Sequence, residues 1–64
     1  MHANLEGALE QLNKAWSAFR HNGQQLTKRE VKAILEYGIA KGYKTTEELT
    51  DPEVDDILKR LRGN

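Results

Sequence analysis

The sequence predicts an all-α protein: a compact three-helix domain with helices at about residues 4–21, 28–41 and 51–62 and a short helical turn near residues 46–49. Three observations carry this expectation. Apolar residues recur at helical spacing in three stretches, each stretch opens with a residue suited to capping a helix, and no segment shows the period of two of a half-buried strand. With 64 residues the chain has material for one hydrophobic core, so residues 1–64 read as a single domain.

In the first stretch Leu5, Ala8, Leu9, Leu12, Trp16 and Phe19 form one stripe, with Glu6, Glu10, Gln11, Asn13 and Lys14 on the opposite side. Asn4 is the expected N-cap, and Arg20 and His21 would suit the negative C-terminal end of such a helix. Trp16 continues the buried spacing and reads as core. Asn22-Gly23 is a known hairpin dipeptide, but neither flank alternates, so it reads as a helix-to-helix connection with Gly23 ending the first helix.

The second stripe is Val31, Ile34, Leu35, Gly38 and Ile39. Thr27 and Glu30 form a capping box, in which each side chain satisfies a backbone N–H that helix geometry leaves open, and Leu26 is placed to pack on Val31. Gly42 is the expected stop, with Tyr43 folding back on the last turn. Gly38 breaks the pattern, since an interior helical glycine costs about 1 kcal/mol relative to alanine. Its place on the buried stripe implies a close approach, by the Trp16 ring or by backbone.

Residues 45–49 carry capping chemistry and one apolar side chain, enough for a single turn pinned by Leu49. The third helix begins at Thr50-Asp51-Pro52-Glu53, where proline is welcome because a first-turn N–H would be unpaired anyway. Val54, Ile57, Leu58 and Leu61 are its apolar face.

Composition excludes several functions. There is no cysteine, which removes disulfides, thiolate metal sites and a cysteine nucleophile. No apolar run approaches the ~20 residues that cross a bilayer, and no signal-peptide pattern opens the chain, so a soluble cytoplasmic protein is the expectation. The two histidines, His2 and His21, build no recognisable triad, and Gly23 stands alone where a phosphate loop needs several glycines. No enzyme activity, cofactor or metal is expected.

The stretch from Phe19 to Leu35 resembles an EF-hand in outline, with an apolar helix, a glycine in a loop, Leu26, and Glu30 opening the next helix. Its loop glycine is one residue out of register, and His21, Asn22, Gln24 and Gln25 stand where acidic ligands belong. Calcium binding is therefore not predicted. Helices at 28–41 and 51–62 would also suit a helix-turn-helix. Its recognition helix would then present Asp51, Glu53, Asp55 and Asp56 to a polyanion, which argues against that use.

Formal net charge is zero, but the charges are segregated. Residues 11–44 are net basic, residues 45–56 carry acids alone, and Lys59, Arg60 and Arg62 close the last helix. Acids at its start and cations at its end complement that helix's dipole. Lys28 and Arg29 do the reverse, occupying the positive first turn of the second helix. With Lys32, and with Arg20 and His21 on the preceding link, they form a cationic corner. Three internal explanations compete: pairing of Glu36 with Lys32, the acidic linker folding over the corner, or simple tolerance at a few tenths of a kcal/mol per charge.

Against these stands a docking surface. The first functional expectation is a small binding or regulatory module that meets an acidic or mixed surface of a protein partner through Arg20, His21, Lys28, Arg29, Lys32, Tyr37 and Tyr43. The tyrosines are included because that side chain is amphipathic and frequent in interface hot spots. The second is a nucleic-acid-associated regulator using the same corner, ranked lower for the zero net charge. Self-assembly into a homodimer or larger oligomer through the basic and acidic blocks is the third.

Overall fold

A computed structural model of the chain describes residues 4–63, and its second and third predicted helices stand close to where capping chemistry places them. The first does not. Among the described residues there are four α-helices and a small two-stranded antiparallel sheet, so the protein is mainly helical but is not a pure all-α three-helix domain.

The N-cap at Asn4 forms as expected, its Oδ1 accepting the Gly7 N–H at 2.8 Å. Helix α1 then runs only over Leu5–Glu10. At Gln11 the backbone leaves the helical region, with φ −95° and ψ 16°, and a second short helix, α2, spans Leu12–Ala15. No glycine or proline accounts for this break. A 3₁₀ turn at Trp16–Ala18 follows, and Phe19 is extended.

Where the first helix is expected to finish, the chain instead forms strand β1, Arg20–His21, and strand β2, Gln24–Gln25. They pair antiparallel, Arg20 opposite Gln25 and His21 opposite Gln24. The turn between them is Asn22-Gly23, with φ of 54° and 78°. Positive φ at both central residues is what a type I′ hairpin turn requires, and Asn-Gly adopts it at the least steric cost. Strands of two residues carry no readable alternation, so the turn dipeptide alone holds the information. Gln25 Nε2 donates to the Ser17 carbonyl at 2.9 Å, tying the hairpin to the 3₁₀ turn before it.

Helix α3, Lys28–Ala40, opens on the complete capping box: Thr27 N–H donates to Glu30 Oε1 at 3.0 Å, and Glu30 N–H to Thr27 Oγ1 at 3.2 Å. It closes at Gly42, φ 87°, where Tyr43 N–H reaches the Gly38 carbonyl and Gly42 N–H the Ile39 carbonyl, the paired bonds of a Schellman motif. The predicted turn near 46–49 is a 3₁₀ turn at Thr46–Glu48, with Glu48 accepting the Thr45 N–H at 2.9 Å. Helix α4, Asp51–Leu61, starts on its own capping box, with Thr50 N–H donating to Glu53 Oε1 at 2.9 Å.

Helix α3 is the centre of the molecule, packing against α1, α2 and α4. Leu5, Leu12, Leu26, Val31, Ile34, Leu35, Val54 and Leu58 form the core, and Trp16 and Phe19 pack against it while only partly buried. The close approach to Gly38 comes from Leu5, not from Trp16 or backbone: a Cβ at Gly38 would lie 2.6 Å from Leu5 Cδ1. Leu5 N–H donates to the Lys44 carbonyl at 2.9 Å, holding the start of α1 against the segment that leaves α3.

Candidate partner-binding surface

The seven residues singled out from the sequence divide into two groups. His21, Tyr37 and Tyr43 are engaged by acids of α4. Arg20, Lys28, Arg29 and Lys32 are exposed, and among the described residues none of the four makes an ion pair.

His21 does not sit at a helix end. On β1 its side chain is only 12% exposed, and its Nε2 lies 2.7 Å from Asp55 Oδ1 on α4. That contact joins the hairpin to the last helix. Tyr37 and Tyr43 both donate to one oxygen, Glu53 Oε2, at 2.9 and 2.8 Å. The other oxygen, Oε1, accepts the Thr50 N–H and the Thr50 hydroxyl, each at 2.9 Å. Four donors on one carboxylate stabilise its charged form, the Thr50 N–H most, and its pKa falls to about 2. The same contact pushes both phenols up, since losing a proton would set a phenolate beside the carboxylate. These hydroxyls face the protein's own acid.

The cations of α3 have lost the carboxylate nearest to them. Glu30, one residue beyond Arg29, is only 7% exposed, and its Oε2 accepts from Arg62 Nε at 2.8 Å while Oε1 completes the capping box. Bonding from the Thr27 N–H first, and then from Arg62, lowers its pKa despite burial. Neither pairing explanation accounts for the α3 cations among the described residues: Glu36 makes no ion pair with Lys32, and of the acids at residues 45–56 Asp55 reaches His21 but none pairs with Lys28 or Arg29. Glu48 holds the Lys44 and Thr45 N–H groups, Asp55 holds His21, and Asp56 pairs with Arg60 at 3.0 Å within α4.

Beside this surface is an open cleft of about 400 Å³, enclosed by the hairpin, α3, the 3₁₀ turn at Thr46–Glu48 and α4. Its apolar floor includes Leu26, Val31, Ile34 and Val54, with Arg20, His21 and Asp51 among its polar lining. Sequence periodicity does not separate such residues from ordinary core, because the same stripe lines both. The pairing of Leu26 with Val31 across the cap was the available signal, since both line this cleft.

Among the described residues no cluster of three or more metal-ligating side chains occurs, and no helix is long and apolar enough to cross a membrane. Compared with known protein families, curated proteins and solved structures, the chain matches none.

Proposed function

We propose that this chain is a small, soluble, cytoplasmic, non-enzymatic module that docks an acidic surface of a protein partner on the face carrying Arg20, Lys28, Arg29 and Lys32. One observation supports the reading above the others. Glu30, the acid in the first turn of α3, is committed to Arg62 and to the cap, and Lys28 and Arg29 remain exposed and unpaired among the described residues. Cations at a positive helix terminus oppose folding slightly. Their use is then intermolecular, where like-signed charges steer an oppositely charged partner and fix its register.

Zero net charge favours protein over nucleic acid as that partner, because a polyanion would also meet the acids of α4. The test is capture of interacting proteins on immobilised wild type and on a Lys28→Glu, Arg29→Glu double variant. The double variant is expected to lose capture while keeping its thermal unfolding midpoint, and wild-type capture should weaken with added salt. Full capture by the double variant rejects the surface.

A further inference from the structure

We propose that the cleft beside the cationic face receives one large apolar side chain from an acidic segment of the partner, with the carboxylate next to that anchor lying over Arg20 and Lys28. This rests on the docking reading above and specifies what docks. The cleft, about 400 Å³ and open to solvent, has room for one large side chain. Leu26, Val31, Ile34 and Val54 at the base are core residues held by their own packing, so the cleft is preformed, and the partly buried Phe19 and Leu49 present the apolar surface that an incoming side chain meets.

Charge selects the occupant. Arg20 lines the cleft and makes no ion pair among the described residues. Lys28 does not line the cleft but opens α3 three residues before Val31, a spacing that brings side chains next to each other along a helix. His21 offers no such charge to a ligand because Asp55 already holds it. Asp51 lines the cleft from α4, so an incoming acid is admitted on the hairpin side and repelled on the α4 side, which fixes how the segment lies across it. A second copy of this chain is a poor occupant. In its acidic stretch Leu49 and Val54 already face the core and cleft, and Glu48, Glu53, Asp55 and Asp56 are engaged within the protomer.

The experiment is an amide NMR titration of the isotope-labelled full chain with three short synthetic peptides. The first carries a phenylalanine flanked by aspartates and glutamates, the second replaces that phenylalanine with alanine, and the third replaces the acids with lysines. The first is expected to move the amides of Leu26, Val31, Ile34 and Val54 together with Arg20 and Lys28. The alanine peptide should bind at least about tenfold more weakly, as loss of a hot-spot anchor does. An Arg20→Glu variant, unchanged in thermal unfolding, should weaken the first peptide by about fivefold, the scale of an exposed charge contact.

If the phenylalanine peptide moves Lys28, Arg29 and Lys32 but no cleft amide, the cleft proposal fails and the docking surface stands. If no peptide moves either group, both fail. Equal binding of the lysine peptide overturns the charge assignment. Cleft amides that shift with protein concentration, without peptide, make a second copy the occupant and overturn the acidic segment.

Discussion

Arg62, at the end of α4, donates through Nε to Glu30 at the start of α3 across 2.8 Å, joining the two helices beside the proposed surface. Arg62 and the capping box together occupy both oxygens of Glu30. Arg62 is 49% exposed, so solvent screens the pair, and Arg62→Ala is expected to cost about 1 kcal/mol of stability. Glu30→Ala removes both the Arg62 contact and the carboxylate that accepts the Thr27 N–H, while the bond from its own N–H to Thr27 Oγ1 survives, and should cost about 2 kcal/mol. Urea unfolding at neutral pH measures both, and a Glu30→Ala effect no larger than that of Arg62→Ala would show that the bond from the Thr27 N–H to Glu30 contributes nothing. Because the Glu30 pKa is lowered on folding, its contribution is present above the unfolded value of about 4.3 and is lost as pH falls through the folded one. The two variants should therefore converge on wild type in acid.

Glu53 predicts a second acid sensitivity with a defined window. Its pKa is about 2 in the folded protein against about 4.3 in an unfolded chain. Its stabilisation is complete above the higher value and disappears as pH falls towards the lower. Glu53→Gln keeps the side-chain length but removes the charge that four donors address. The expected outcome is a lower unfolding midpoint at pH 7 and a flatter decline between about pH 4.3 and pH 2 than wild type shows. In the alkaline limb the sign reverses. Tyr37 and Tyr43 titrate above their ordinary value, so their contribution is present below pH 10 or so and is lost as pH rises through the folded values. Spectrophotometric titration should show both phenols deprotonating later than free tyrosine in wild type, and earlier in Glu53→Gln.

What the sequence made readable was whatever depends on neighbours in the chain. The boxes at Thr27 and Thr50, the stop at Gly42 and the turn near Thr46 are each decided within about five residues, and each forms. The tyrosine partners of Glu53 and the histidine partner of Asp55 lie 10 to 34 residues away, and the break at Gln11 has no visible local cause. Surplus acids in the first two turns of α4 were the one hint that it serves more than its own dipole. The hairpin was legible and misread: Asn22-Gly23 outweighs the helical stripe that Trp16 and Phe19 continue, because two residues with φ > 0 cannot lie inside a helix.

Gly38 sets the distance between α1 and α3, and a methyl group there tests the packing directly. In an open helix Gly→Ala would stabilise by about 1 kcal/mol. Here the new Cβ would meet Leu5 Cδ1 at 2.6 Å, and Leu49 Cδ2 lies next at 3.6 Å. A lone leucine methyl can usually swing aside, but Leu5 is 0% exposed, so relief requires Leu5 to repack among its core neighbours or α1 to move off α3. Overpacking of this kind costs about 1–3 kcal/mol, which cancels or exceeds the gain in helix propensity. Gly38→Ala is thus expected to be neutral to destabilising by about 2 kcal/mol. The double variant Leu5→Ala, Gly38→Ala should be more stable than Leu5→Ala alone, because the clash is gone and the propensity gain survives. A stabilising Gly38→Ala in the wild-type background, read by thermal unfolding, would mean that Leu5 is not seated against α3 in solution.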